Sequence, residues 1–130
     1  MKIALTSIMV DDQKKAADFY TGMLGFVVRV RFPMGPYEWI SMTAPEGPAD
    51  VQLALEPGVQ DWAIAFRKGL YESGLPATAF HSSDIQAEYE RLVARGVTFK
   101  GPPVAHPDAP TIAILDDTVG NWIQLYEMPA

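Results

Sequence analysis

The sequence predicts an α+β fold built from two tandem βαβββ modules, and three observations lead there. Two stretches of helical periodicity each start at an aspartate, Asp12 and Asp84. Each is preceded by one strand-like run and followed by three more. Gln52 and Gln124 sit between matching aliphatics (Val51 and Leu53, Ile123 and Leu125) at the same offset of 72 residues as the helix starts (84 − 12 and 124 − 52). An offset shared by helix and strand marks an internal repeat better than a chance likeness of short aliphatic runs. The expectation is a single domain over 1–130, with a first module over 1–58, a helical insertion over 59–74 and a second module over 75–130.

The elements follow in order. "KIALTSIMV" is β-branched and aliphatic, apolar on both faces, and reads as a buried strand. Asp11 and Asp12 offer N-caps to a helix over "QKKAADFYTGML", with Ala16, Phe19, Tyr20, Met23 and Leu24 on one face and Gly25 as its left-handed terminator. "FVVRVRF" and "YEWISMTA" are strands either side of the turn "PMGP", and "VQLALE" is a fourth after the loop "APEGPAD". In the insertion, "DWAIAFRKGLYES" places Trp62, Ala65, Phe66, Gly69 and Leu70 on one helical face, and Gly74 stops it. "LPATAF" is a strand entered at Pro76, where a proline suits a strand end. "SDIQAEYERLVARG" is a helix capped by Asp84, with Ile85, Tyr89, Leu92 and Val93 as its apolar stripe and Gly96 at its end. "VTFK" reads as a short strand and "GPPVAHPDAP" as a Pro-rich loop. "TIAILDD" and "NWIQLYE" are the last strands, joined at "DTVG".

The bulk numbers narrow the function classes. With 48% hydrophobic and 20% charged residues among 130, the chain has the composition of a folded globular domain. The absence of cysteine excludes disulfides and thiolate metal sites and fits a cytoplasmic protein. The N-terminus lacks the long apolar run of a secretion signal, and no run approaches the ~20 residues that span a bilayer. A net charge of −6 disfavours nucleic acid and anionic membrane as partners and tolerates a cationic ligand.

The repeat, with "VDDQKKAADFYTGMLGF" near the start and "DDTVGNWIQLYE" near the end, resembles the vicinal oxygen chelate superfamily. That group includes glyoxalase I, extradiol dioxygenases and the bleomycin-resistance binding proteins. The first segment looks like its V-x-D-…-A-x-x-F-Y-x-x-x-L-G-F signature, and the second like its D-P-x-G-N-x-I-E-L ending. The likeness spans nearly the whole chain apart from the stretch Trp62 to Ser73. It implies paired βαβββ modules whose mixed sheets curl around a cavity, usually in a homodimer. It does not fix the reaction, since one scaffold hosts many chemistries. In metal-dependent members, a His or Gln in each module's first strand and a Glu on its last bind a divalent ion. Aligning on the helix caps puts those positions at Leu5, Gln52, Ala77 and Gln124. Two alkyl side chains and two neutral amides make a poor donor set for such an ion, so no metal and no other cofactor is expected. His81 and Glu56 share the faces of Ala77 and Gln52 but lie four residues along, roughly 13 Å away.

Strand alternation then gives the expected cavity wall: Leu5, Ser7 and Met9; Gln52, Ala54 and Glu56; Ala77, Ala79 and His81; Trp122, Gln124 and Tyr126. Trp39 joins them if its strand has the matching parity. This mix of apolar surface and a few hydrogen-bonding groups suits a small-molecule pocket. Gln52 and Gln124 have two readings open, binding a ligand or bonding to one another and to backbone. Trp39, Trp122 and Tyr126 are open between core packing and ligand stacking. His81 is the one titratable base expected at the cavity, as a general acid or base or as a structural histidine. Ser7 has no Ser-His-Asp partners. The expected function is a small-molecule binding protein of this superfamily with a degenerate metal site. The alternative is a glyoxalase-type lyase, isomerase or dioxygenase using relocated ligands or metal-free acid–base chemistry.

Overall fold

The computed structural model describes residues 1–130. The first strand β1 (Leu5–Val10) leads through helix α1 (Gln13–Gly22) to β2 (Val27–Met34), β3 (Tyr37–Thr43) and β4 (Gln52–Pro57). Helix α2 (Asp61–Glu72) follows. Then come β5 (Pro76–His81), α3 (Ile85–Ala94), β6 (Val104–His106), β7 (Ala109–Asp116) and β8 (Trp122–Glu127). The strands form two four-stranded sheets with matching orders, β1-β4-β3-β2 and β5-β8-β7-β6. In each, the first and last strands of the module pair parallel and the other pairs are antiparallel. The two tandem βαβββ modules with mixed sheets are thus present, and neither sheet is closed. The chain divides into two compact units, Met1–Arg67 and Lys68–Ala130, each holding one sheet. No helix is long and apolar enough to cross a membrane.

In the first unit the Asp12 carboxylate accepts from the Lys15 amide at 2.9 Å, satisfying a donor that the first helical turn leaves orphaned. Ala16, Ala17, Phe19 and Tyr20 of α1 are buried and pack on one face of the sheet. That face carries Ile8, Val10, Ile40, Met42, Leu53 and Leu55, which are all buried and alternate along their strands. Gly25 takes φ +82°, the left-handed conformation its residue type favours. The second unit repeats the plan. Asp84 accepts from the Ala87 amide at 3.0 Å, and Ile85 and Leu92 are buried, as are Ala113, Leu115, Ile123 and Leu125 on the sheet.

Between β7 and β8 the chain turns on Asp117, which is fully buried. Its Oδ1 accepts from the amides of Val119 and Asn121, both at 2.9 Å, and its Oδ2 from the Asn121 side chain at 2.9 Å. A buried carboxylate is tolerable here because backbone and amide donors surround it.

Six sequence expectations need correction. β1 is not buried on both faces: it is an edge strand, and Leu5, Thr6 and Ser7 are exposed while Ile8 and Val10 are buried. The stretch 97–100 forms a single bridge, Phe99 to Leu115, rather than a strand. Prolines at 102 and 103 lack the amide to continue it. Pairing resumes as β6, so His106 lies in a strand and not in a loop. On α2 the residues buried are Ala63 and Arg67, whereas Trp62 and Phe66 are 64% and 58% exposed. Helical periodicity identified a stripe but not what covers it. Val93 on α3 is likewise exposed. Finally, the strict 72-residue repeat fails in β5, whose pairing, with a bulge between Pro76 and Thr78 as part of the displacement, sets Ala79 rather than Ala77 beside Gln124.

Candidate functional site

Each sheet has one face under its helix and one face turned away from it. In the first unit the register defines the second face. Leu5 pairs with Gln52, Ser7 with Ala54 and Met9 with Glu56. Ser41 pairs with Ala54, Phe32 with Trp39 and Met34 with Tyr37. Registered partners project to the same side. Leu5, Ser7, Trp39 and Gln52 therefore share one face, and the parity of Trp39, open in the sequence, is fixed by Ser41 two residues on.

Gln52 is held from below. The hydroxyl of Ser41, a residue with no solvent exposure, donates to Gln52 Oε1 at 2.7 Å. With its oxygen engaged, Gln52 presents its NH2 group as the free end of the amide. Beside it, Phe32 and Trp39 stack with centroids 6.4 Å apart and planes at 15°.

Further along, β3 and β4 part company. Their register covers only Ser41 with Ala54 and Met42 with Leu53. Beyond that the side chain of Gln13, from α1, fills in for the missing ladder. Its Nε2 donates to the carbonyls of Glu38 and Leu55, both at 2.8 Å, and its Oε1 accepts from the Glu38 amide at 3.1 Å. The splay leaves a slot of about 160 Å³ lined by Met34, Tyr37, Trp39, Ala54 and Glu56 with parts of Glu38, Ile40, Leu55 and Pro57. A larger hollow of about 240 Å³ lies at the strand ends around Asp11, Pro36, Tyr37 and Val59. Glu38, on its wall, is already engaged: Arg31 donates to both carboxylate oxygens, at 2.9 and 3.0 Å. That hydrogen bond holds the Glu38 carboxyl below its ordinary value and the Arg31 guanidinium above its own.

The second unit's face is more occupied. Ala79 pairs with Gln124 and His81 with Tyr126 on the β5 side; Ile114 pairs with Gln124 and Ile112 with Tyr126 on the β7 side. At its end, Trp122 is packed by its own unit. Tyr71 of α2 stacks on the indole at 4.7 Å with planes at 5°. The indole N–H donates to the Tyr71 carbonyl at 3.0 Å, and Lys100 Nζ lies 4.6 Å from the ring centroid. The Tyr71 hydroxyl donates to Asp116 Oδ2 at 2.7 Å, and that bond, followed by desolvation, pushes the phenol above its ordinary value. Trp122 is thus packed by its own unit, and Tyr71, which no sequence feature singled out, stacks on it.

The exposed His81 ring meets Tyr126 edge-on at 5.4 Å and 72°. The Gln124 amide, half-buried, has no hydrogen-bond partner within its unit. The contrast with Gln52 has a local cause: Ile112 faces Tyr126 where Ser41 faces Ala54, so no hydroxyl lies beside Gln124. Of the positions that the superfamily resemblance marks for a metal, Leu5 registers with Gln52 in the first sheet. In the second, Ala77 sits at the bulge and Ala79 takes its place beside Gln124. Nowhere do three or more His, Cys, Asp or Glu side chains gather closely enough to hold an ion.

Comparison with known proteins agrees with this architecture. Residues 2–125 match the model of the Glyoxalase/Bleomycin resistance protein/Dioxygenase superfamily. The chain is 44% identical to YurT, an uncharacterised protein of Bacillus subtilis (strain 168), over 98% of this chain and 99% of that one. Among solved structures it is similar to UcmS2, with TM-score 0.82 and 30% identity over 97% of both chains. It is also similar to TnmS3, an antibiotic binding protein from Streptomyces sp. CB03234. There the TM-score is 0.74 and the identity 29%, over 99% of this chain and 97% of that one.

Proposed function

The chain belongs to the Glyoxalase/Bleomycin resistance protein/Dioxygenase superfamily, and from that premise we propose that it binds a small organic molecule without a resident metal. The observation that carries this reading is the first sheet's helix-free face, where an anchored amide, Gln52, stands beside the Phe32–Trp39 stack and an open slot. Apolar surface with a few fixed hydrogen-bonding groups is what a small-molecule site requires. In this reading the ligand-facing residues of the first sheet are Leu5, Ser7, Trp39 and Gln52, and those of the second sheet, taken by itself, are Ala77, His81, Trp122, Gln124 and Tyr126. Trp122 contributes there as part of the packed Tyr71 stack.

The residues at the superfamily's metal positions do not fit a divalent ion. Leu5 and Ala77 (or Ala79) have no donor atom, and the amide oxygens of Gln52 and Gln124 carry no charge to offset that of the ion. The Ser41 hydroxyl also competes for Gln52 Oε1. A glyoxalase-type reaction through His81 finds no support in its surroundings, since the imidazole contacts a Tyr126 ring rather than a group that would orient it. The binding of antibiotics by a protein of similar structure, TnmS3, favours binding over turnover.

The proposal includes a homodimer. Phe32 and Met34 on β2 and Trp62 and Phe66 on α2 are between 47% and 64% exposed. A second copy is the simplest partner to cover apolar surface of that kind. The test is thermal. Purified protein is assayed for bound metal, then melted with Zn(II), Ni(II), Mn(II) or Fe(II) and with a panel of planar and amphipathic compounds. Stabilisation by compounds but not metals is expected, because a ligand that binds only the folded state raises Tm. Stoichiometric metal that is lost in Gln52→Ala or Gln124→Ala would overturn the reading.

A further inference from the structure

We infer that the slot between β3 and β4 is a subsite for an organic cation, an ammonium or amidinium head group. The inference rests on the small-molecule reading above and names the chemistry of one part of the ligand.

The slot's walls are of two kinds. Met34, Tyr37 and Trp39 supply polarizable and aromatic surface, and Glu56 supplies a carboxylate. Among the residues that the strand register fixes on this face, Glu56 is the one carboxylate. Its side chain accepts one hydrogen bond, from the Ser7 hydroxyl at 3.4 Å, a long contact for an O–H donor, and it takes part in no ion pair. Three acids elsewhere have a cation beside them: Asp50 has Lys2, Glu38 has Arg31 and Glu88 has Arg91. A half-buried carboxylate with about four lone-pair sites, set among aromatic rings and left without a cation, is a poor arrangement for the protein alone. It is a good one for a guest that brings the positive charge.

Both walls then act on the same guest. An ammonium is attracted to the faces of tryptophan and tyrosine by the ring quadrupole, and a nearby carboxylate adds a Coulomb contribution that partial desolvation strengthens. A neutral guest of the same shape keeps the contact area and loses both electrostatic contributions. An anion would meet Glu56 directly. The floor of the slot is rigid because Gln13 ties the splayed backbones of β3 and β4 together, so the opening is built in rather than induced. The net charge of −6 adds a field of the right sign for the approach of a cation.

Choline and its neutral carbon isostere, 3,3-dimethylbutan-1-ol, serve as probes that differ in one charge and hardly in shape. Each is titrated into the full-length protein and followed by amide chemical shifts. Choline is expected to bind at least about tenfold more tightly than the alcohol. Glu56→Gln should remove most of the choline preference, leaving only what the aromatic faces supply, and leave the alcohol unchanged, while Glu56→Asp keeps more of the preference. Trp39→Leu should weaken both. Melting curves of each variant establish that it is folded. Equal affinities, a choline affinity untouched by Glu56→Gln, or no choline binding at all would overturn the inference. If choline fails while a panel compound still binds in a Gln52-dependent way, the subsite is wrong and the small-molecule reading stands. If the panel compounds fail too, both are wrong.

Discussion

Ser41 and Ile112 occupy corresponding places in the two sheets, and that one difference separates the two glutamines. Ser41 fixes Gln52 by its oxygen, whereas Ile112 offers Gln124 nothing. Ser41→Ala should cost about 1 kcal/mol of stability, the net worth of one hydrogen bond, and weaken any ligand that uses the Gln52 NH2 group. Chemical denaturation and ligand titration read the two effects separately. Asp117→Ala should cost more, about 3 kcal/mol, because three donors then lose a charged acceptor in a buried turn. Tyr71 gives a pH dependence. Its phenol is pushed above the ordinary value of 10.0, chiefly by donating to Asp116. The stability this contributes is fully present below the unfolded pKa and declines as pH rises through the raised one. Tyr71→Phe should therefore be less stable at neutral pH and show a smaller loss between neutral and alkaline pH in melting experiments. The glutamines themselves were legible, since an amide between aliphatics is conspicuous and the repeat pairs them. Ser41 was not, because a serine inside a strand carries no mark of what lies beneath its neighbour.

At the scale of elements, the helix starts were the clearest part of the sequence. Asp12 and Asp84 each accept from the amide three residues on, and either Asp→Ala should cost about 1 kcal/mol by denaturant unfolding. Gln13 has a larger task. Its side chain replaces three ladder hydrogen bonds between β3 and β4, so Gln13→Ala should cost about 2 kcal/mol and narrow or collapse the slot. Both readouts, the denaturation midpoint and choline affinity, should fall together. Nothing in a single sequence marks a glutamine in the first turn of a helix for that work. The same limit explains α2, where spacing revealed the stripe of Trp62 and Phe66 but could not say that Ala63 and Arg67 face inward. It explains β5 as well. The 72-residue offset relates Gln52 of β4 to Gln124 of β8, whereas the pairing of β5, irregular between Pro76 and Thr78, puts Ala79 in the place reckoned for Ala77. Periodicity assumes a regular ladder, and a bulge is where that assumption ends.

For the whole molecule, two modules of one plan have been put to different uses. The first leaves an amide, an aromatic stack and an unpaired carboxylate on its helix-free face, and the second has packed Tyr71, Trp122 and Lys100 over part of its own. The superfamily's scaffold was readable from end segments and a repeat because the hydrophobic pattern, helix caps and turn residues all follow from backbone geometry. The residue types at Leu5, Gln52, Ala77 and Gln124 were readable too, and the metal-free binding we propose rests on their ligand chemistry. What occupies the site depends on shape, which the strand register supplied. The central claim, a site that takes an organic molecule and not a metal ion, is tested most directly by the side-chain amide resonances of Gln52 and Gln124 in nitrogen-15-labelled protein. Zn(II) is titrated first, and then a compound that raises Tm. The account predicts resonances unmoved by stoichiometric zinc and shifted by the compound, Gln52 most of all. Amide resonances that move with one equivalent of zinc and ignore the compound would contradict it.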